Sequence, residues 1–275
     1  MKAYLTLIDH FYSQEEFSLL YDNDLDMLLT HPQPKEPEQY YQSESYISHS
    51  DQSASFIDKI YLLVKRYSVS KKVRLINSLV KNKGTLLDIG AGTGEFLLTA
   101  KKQTWKIDGV EPNEIARTNS EQKGILLHES LSELSNHSYD VITLWHVLEH
   151  LPNLNEQIRD ITKLLKEDGV LIIAVPNFKS YDAKKYKSYW AAYDVPRHFW
   201  HFSKQSINQL FHPYGYTLEK TKPMWFDSFY VSILSEKYKH GKNKYVSAFL
   251  TGLTSNIKGM FTKEYSSHTY ILRKD

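Results

Sequence analysis

The fold of this chain is decided by one stretch of sequence, Thr85-Leu-Leu-Asp-Ile-Gly-Ala-Gly-Thr-Gly-Glu-Phe-Leu97. Leu86, Leu87 and Ile89 predict a short buried strand, three alternating glycines follow, and a helical pattern begins at Phe96. A strand that passes through a glycine loop into a helix directs backbone N–H groups and the positive end of the helix dipole at one place. The glycines let the backbone approach a ligand closely, because a Cβ would stand in the way. The stretch therefore predicts a ligand site at the end of a strand.

The charge of this loop distinguishes between two kinds of ligand. Asp88 and Glu95 flank the glycines, and two nearby carboxylates would repel a pyrophosphate group. A ligand with a sulfonium and an ammonium group would be attracted instead. We therefore expect the loop to bind S-adenosylmethionine rather than a dinucleotide.

The composition is that of an ordinary globular protein. Its 275 residues are 41% hydrophobic and 24% charged, and the formal net charge is +2. So small a charge gives no sign of a nucleic-acid or membrane-surface partner. The chain has no cysteine, which excludes disulfides, thiolate zinc sites and cysteine nucleophiles. The first residues lack the apolar segment of a signal peptide and no apolar run reaches the roughly 18 residues of a membrane span, so a cytoplasmic protein is expected.

Strand and helix patterns alternate from residue 84 onwards. The predicted strands cover 85–89, 106–111, 125–128, 139–144, 169–175, 216–222 and 269–273, and the predicted helices 95–102, 113–123, 154–165 and 203–211. Such repetition predicts a parallel sheet with helices on both faces and ligands beyond the carboxyl ends of its strands. We therefore expect an α/β fold with a doubly wound, mainly parallel seven-stranded sheet.

The remaining segments are predicted to surround this core. Residues 1–82 would form an N-terminal extension and helical cap, with a helix from about Ser53 to Asn82. Residues 83–275 would form the main domain, with a cofactor-binding core at 83–176 and a C-terminal helical and aromatic lid insertion at 177–268.

Glu111 ends the second predicted strand, about twenty residues after the glycines. A carboxylate at that position can accept hydrogen bonds from both hydroxyl groups of an adenosine ribose. The same spacing fits NAD, so Glu111 alone leaves the cofactor open.

Two further motifs accompany the glycine loop. Gly109-Val-Glu-Pro112 ends the second strand, and Trp145-His-Val-Leu-Glu-His150 follows the fourth. In this order and spacing the three motifs resemble the class I S-adenosylmethionine-dependent methyltransferases, in particular the group that includes the ubiquinone-biosynthesis O-methyltransferases. The resemblance covers residues 84–176 and extends through Asp194–Ser203, which contains the sequences Pro-Arg-His and Phe-Ser. It implies a Rossmann-like methyltransferase fold with S-adenosylmethionine as the cofactor.

The resemblance also implies a role for each matching residue. Asp88 would orient the methionine ammonium group, Glu111 would hold the ribose diol, and residues 129–131 would lie beside the adenine. Trp145 and His146 would face the region of methyl transfer. The complete implied set of cofactor-binding residues is Asp88, Gly90, Ala91, Gly92, Gly94, Glu111, Pro112, Glu129, Ser130, Leu131 and Trp145.

Methyl transfer to an oxygen of high pKa needs a general base, and His146, His150 and His198 are the candidates. For Glu149-His150 the alternative is a polar cluster that organises the start of a helix. A third interpretation involves metal, because His146-x-x-Glu149-His150 resembles the Glu-x-x-Glu-His ligands of small-RNA 3′-terminal 2′-O-methyltransferases. Magnesium prefers oxygen ligands, so this histidine-rich set argues against the metal and none is expected.

Together these patterns predict a methyltransferase that acts at an oxygen of a small-molecule acceptor, as a monomer or homodimer, without a membrane or nucleic-acid partner. The charge balance offers no electrostatic track for RNA. An NAD-dependent oxidoreductase and a non-catalytic cofactor-binding protein are the alternatives, and the charge of the loop and the intact motifs argue against them. The aromatic residues of the predicted lid suit a planar or apolar acceptor and equally a nucleobase: Tyr181, Tyr186, Tyr189, Trp190, Tyr193, Phe199 and Trp200.

Overall fold

The computed structural model describes residues 1–41 and 56–275, and within them the chain forms two sheets. The strands of the larger sheet are β4 (Thr85–Ile89), β5 (Lys106–Val110), β6 (Tyr139–Trp145), β7 (Leu165–Pro176), β9 (Tyr216–Pro223) and β10 (Ser267–Lys274). Their order is β5-β4-β6-β7-β10-β9. The first four of these are parallel, and β10 pairs antiparallel with both β7 and β9. Residues 170–175 of β7 are completely buried, as expected for a strand covered on both faces.

Helices pack around this sheet. They are α1 (Phe56–Leu79), α2 (Glu95–Lys101), α3 (Glu114–Glu121), α4 (Leu154–Lys163), α5 (Tyr181–Tyr186), α6 (Lys204–Phe211), α7 (Asp227–His240) and α8 (Tyr245–Thr262). Side-chain caps define three of the starts: Asn113 accepts from the Ala116 amide at 2.9 Å, Ser180 from the Ala183 amide at 3.2 Å and Ser203 from the Ser206 amide at 3.1 Å. None of the described helices has both the length and the apolarity to cross a membrane. Residues 53–55 of the first predicted helix lie outside the described residues.

The α/β fold is therefore confirmed, with one difference in the sheet. Among the described residues the larger sheet has six strands in place of seven, because residues 125–128 make only a single bridge, between Val110 and His128. A capping box at Ser130 and Glu133 turns the chain into a short 3₁₀ helix immediately afterwards. That turn ends the pairing before a full strand can form.

A second sheet covers part of the region predicted as an extension. Its strands are β1 (Lys2–Ile8), β2 (Glu16–Asp22), β3 (Met27–His31) and β8 (Trp200–His201), in the order β1-β2-β3-β8. β8 comes from the segment predicted as a lid, so this sheet joins the predicted N-terminal extension to the predicted lid. The division at residue 82 stays a prediction.

The aromatic residues of the predicted lid are mostly core residues. Tyr186, Trp190, Tyr193 and Phe199 are each at most 3% exposed, and the first three pack with the second sheet in one apolar cluster. The sequence suggested that they face an acceptor. Burial against the second sheet, which the sequence pattern did not predict, accounts for this difference.

Candidate active site

The glycine loop after β4 lies open to one side. The amides of Gly90 and Ala91 both donate to the Val110 carbonyl, at 2.8 and 3.0 Å, which ties the loop to the end of β5. Gly90, Gly92 and Gly94 all have positive φ, between 54° and 74°. A Cβ at Gly90 would strike Val147 and one at Gly94 would strike Ser120, whereas one at Gly92 would meet nothing within 4 Å. Gly92 is therefore the glycine that faces the cleft.

Glu111 holds this loop in place from the end of β5. One carboxylate oxygen accepts the amide of Gly92 at 2.8 Å, and the other accepts the amide of Asn113 at 3.0 Å. Pro112, which stands between Glu111 and Asn113 in the sequence, is exposed. Each carboxylate oxygen has a second lone pair, so Glu111 can still accept hydrogen bonds from a diol.

Asp88 lies at the inner end of the site. Its carboxyl group is buried, and burial raises its pKa. The hydrogen bond from Thr143 at 2.6 Å and the charge of Lys72 lower the pKa by less, so the result is about 7. The Lys72 ammonium group lies 4.5 Å from the centre of the Trp145 ring, and burial lowers its pKa, against the charges of Asp88 and Asp227. Lys72 was not among the site residues expected from the sequence. The available signal was its place on α1 directly before Val73, which is buried.

β6 ends at Trp145 beside Asp88 and Lys72, and His146 follows directly. The Trp145 Nε1 is buried and has no hydrogen-bond partner among the described residues. His146 has φ of +60°, an unusual conformation outside glycine, and its ring lies between two carboxylates: Nε2 is 3.1 Å from Asp227 and Nδ1 is 3.4 Å from Glu149. Burial would lower the pKa of His146, but the interactions with Asp227 and Glu149 outweigh it and raise the pKa to about 10. At neutral pH this ring is a cation.

Glu149, His150 and His198 form a second polar cluster, with one ligand atom of each within 4.8 Å of the others. Glu149 is 1% exposed, and its carboxylate lies beside the His146 ring, with Nδ1 3.4 Å from Oε1. The loop that carries His198 reaches this place because the Phe199 amide donates to the Glu149 carbonyl at 2.8 Å. The predicted histidines therefore meet around Glu149.

Backbone carbonyls orient the two rings of this cluster. His150 Nδ1 lies 3.1 Å from the Arg197 carbonyl and His198 Nδ1 lies 2.9 Å from the Ala192 carbonyl. Because a carbonyl oxygen only accepts, both Nδ1 atoms carry the hydrogen and both Nε2 atoms carry the lone pair in the neutral ring. Burial, together with the neighbouring His150, lowers the pKa of His198 well below its usual value.

The residues predicted beside the adenine lie at the outer end of the site. Glu129 and Ser130 are exposed, and their amides donate to the Glu133 carboxylate at 2.9 and 3.1 Å. Arg117 connects them to the rest of the site: it donates to the Glu111 carbonyl at 2.8 Å and lies 3.4 Å from the Glu129 carboxylate. Leu131, which follows, is half-buried.

A cavity of about 250 Å³ adjoins the inner end. Lys72, Trp145 and Asp227 all line it, together with residues of α1 and of the turn after β9. Asp227 was not expected from the sequence, and no sequence signal connects it with His146, which stands 81 positions earlier in the chain. The turn from β9 into α7 brings it there.

The residues present fit S-adenosylmethionine. Open space at Gly92 accommodates a bound group that a Cβ would displace. The carboxylate of Glu111 is available to a ribose diol at the outer end, and Asp88 and Lys72 offer opposite charges to an amino acid at the inner end.

Comparison with known proteins identifies the family of this chain. A family model described as a methyltransferase domain matches residues 64–221. The ubiquinone biosynthesis O-methyltransferase of Vibrio cholerae is 31% identical over 108 residues, which are 35% of this chain and 44% of that protein. An uncharacterized protein of Methanocaldococcus jannaschii is 29% identical over 135 residues, 49% of this chain and 52% of that protein. The chain thus spans about half the length of the curated relatives it matches.

The fold is also that of solved methyltransferases. The magnesium protoporphyrin IX methyltransferase from Synechocystis PCC 6803, with bound S-adenosylhomocysteine, has a TM-score of 0.58 at 14% identity, over 86% of this chain and 97% of that chain. At this identity the likeness concerns the fold alone. Because the family match spans more than half of the chain, this protein belongs to the class I S-adenosylmethionine-dependent methyltransferases, as its three motifs predicted.

Proposed function

We propose that this protein transfers the methyl group of S-adenosylmethionine to a hydroxyl group of a small-molecule acceptor. The observation that carries the proposal is a row of three groups: the buried carboxyl group of Asp88, the open backbone at Gly92 and the carboxylate of Glu111. The bound cofactor supplies an electrophilic methyl group on its sulfonium. The protein has to orient the two reactants, exclude water and accept the proton of the hydroxyl group.

Opposite charges at the inner end support the binding of an amino acid. Ionised Asp88 would attract the ammonium group of the methionine part, and Lys72 would attract its carboxylate. Glu111 would accept hydrogen bonds from the ribose diol. Glu129, Ser130 and Leu131 stay the proposed neighbours of the adenine, and the Gly90–Gly94 loop stays the proposed wall beside the methionine.

We assign the base to His150. His146 is protonated at neutral pH because its pKa is raised to about 10, so its role would be to hold Asp227 and Glu149 in place. His198 binds a proton weakly, because burial lowers its pKa, and its ring contacts His150 edge-on with ring centres 4.4 Å apart. His150 is less buried, and its Nε2 can accept the proton of the hydroxyl group.

A second candidate mechanism uses a divalent metal ion at Glu149, His150 and His198. The observation that favours it is the buried Glu149 carboxylate, which contacts the His146 ring through one oxygen and lies within 4.8 Å of the two oriented imidazoles of His150 and His198. A metal held there would lower the pKa of a hydroxyl group that binds to it. This set replaces the His146-Glu149-His150 run suggested by the sequence. The small net charge favours a small acceptor over RNA.

Methyl transfer is tested with radiolabelled S-adenosylmethionine and a panel of phenols, catechols and alcohols. Binding is measured separately, as thermal stabilisation by S-adenosylhomocysteine. We expect His150→Gln to lower the rate of transfer by about 100-fold. His137→Gln, which changes an exposed histidine stacked on Tyr139, is the matched control and should leave the rate unchanged.

The outcomes separate the proposals. No stabilisation by S-adenosylhomocysteine would contradict the cofactor site, and transfer to nitrogen or carbon acceptors alone would contradict the assignment to oxygen. A rate unaffected by EDTA supports His150 as the base. A rate lost in EDTA and restored by a divalent metal supports the metal mechanism.

A further inference from the structure

Helix α8 turns its small and polar residues towards the protein. Its buried residues are Ala248, Thr251, Gly252, Ser255, Asn256 and Gly259. A Cβ at Gly252 would come within 3.0 Å of the backbone of Phe229, so α8 lies very close to α7. Large side chains cannot fit at such a contact. The burial pattern of α8 is therefore the reverse of that in an ordinary surface helix.

The opposite side of α8 carries large apolar side chains, which we call the α8 face. They are Val246, Leu250, Leu253, Ile257, Met260 and Phe261. Their exposed fractions run from 40% at Leu253 to 81% at Phe261. An 18-residue helix is about 27 Å long, so these side chains form an extended apolar strip. A continuous exposed strip of this size indicates an interaction surface.

The same part of the chain is strongly basic. Residues 237–263 contain six lysines and neither aspartate nor glutamate. All six are exposed: Lys237, Lys239, Lys242, Lys244, Lys258 and Lys263. Because the net charge of the whole chain is only +2, the rest of the molecule is net negative. The net charge of the whole chain averages this basic segment with the acidic remainder. For this reason the overall charge gave no sign of a membrane-surface partner.

We propose that the α8 face docks on the surface of an anionic lipid bilayer, with α8 in the plane of the interface. The apolar side chains would enter the boundary between headgroups and acyl chains, and the lysines would attract the negative headgroups. A second copy of the chain fits less well, since a two-fold contact through α8 would bring Lys244, Lys258 and Lys263, which lie on that helix or at its ends, towards their copies. Lipid docking is independent of the proposed methyl transfer.

The test is sedimentation with vesicles of phosphatidylcholine, with and without 30% phosphatidylserine, in about 0.1 M salt. We expect the protein to bind the anionic vesicles at least about tenfold more tightly than the neutral ones. The double variant Leu250→Ser/Phe261→Ser should lose about tenfold in affinity for anionic vesicles. So should the charge variant Lys242→Glu/Lys244→Glu. Leu126→Ser, which changes an equally exposed leucine remote in sequence from α8, is the matched control and should bind normally.

Two results would overturn the proposal. One is no sedimentation of the unchanged protein with anionic vesicles. The other is a concentration-dependent dimer in light scattering that the double variant abolishes, because the α8 face would then join two copies. Thermal stabilisation by S-adenosylhomocysteine is measured on every variant, so that loss of the fold or of the cofactor site is seen separately.

Discussion

Replacing Asp88 by asparagine should stabilise the free protein at pH 8 and weaken its binding of S-adenosylhomocysteine. Burial raises the pKa of Asp88 to about 7, compared with 3.8 for the ordinary side chain. The folded protein therefore holds this proton more tightly than the unfolded chain. The stability that protonation provides is complete below pH 3.8 and is lost as the pH rises towards 7.

The size of the effect follows from that difference in pKa. Each unit corresponds to about 1.4 kcal/mol, so ionised Asp88 destabilises the fold by up to about 4 kcal/mol above pH 7. The asparagine variant avoids this cost, and its amide oxygen can still accept the hydrogen bond from Thr143. For a chain of this length the midpoint of thermal unfolding should rise by roughly 10 °C at pH 8. Near pH 4 the two proteins should unfold alike.

Urea and thermal unfolding between pH 4 and pH 8 would measure the difference. Asp140→Asn is the matched control with the opposite sign. Burial would raise the pKa of Asp140, but hydrogen bonds from Lys166 and Thr85 outweigh it and lower the pKa. That variant should lose stability at pH 8, and the loss should disappear as the pH falls through the lowered pKa. Equal stability of Asp88→Asn and the unchanged protein at pH 8, or a difference that does not vary with pH, would refute the reasoning.

Three other substitutions test the site and its support. Gly92→Val should abolish the binding of S-adenosylhomocysteine in calorimetry, because a Cβ there enters the cleft, and retained affinity would contradict the loop assignment. The fold should persist with a loss of about 1–3 kcal/mol in stability, because φ of Gly92 is +54°. Glu111→Ala should weaken that binding by about tenfold to 100-fold, because the charge-assisted hydrogen bonds to the ribose would be lost. An unchanged dissociation constant would mean that Glu111 does not contact the ribose. Arg197→Met should lower the free energy of unfolding in urea by about 3–5 kcal/mol, because the Asp9 and Asp194 carboxylates would both lose their buried cation, which lies 2.9 and 2.6 Å from them. A loss below about 1 kcal/mol would show that these ion pairs contribute little to stability.

The core of the fold could be predicted from the sequence because its signals are local. The strand, glycine loop and helix of residues 85–101 are continuous in sequence, and hydrophobic periodicity identifies each element. Glu111 follows directly on the next strand, so the parallel pairing of β4 with β5 brings it to the loop. The predicted number of strands was one too many, because the turn at Ser130 leaves residues 125–128 with a single bridge.

The sequence by itself determined the class of the protein and the wall of the cleft that binds the cofactor. Only the tertiary structure decided what meets that wall: Lys72 beside Asp88, Asp227 beside His146, and His198 beside Glu149. These partners come from helices and loops far apart in the chain, and side-chain periodicity carries no information about such contacts. The outward side of α8 is a similar case, because which side of a helix is buried depends on what it packs against.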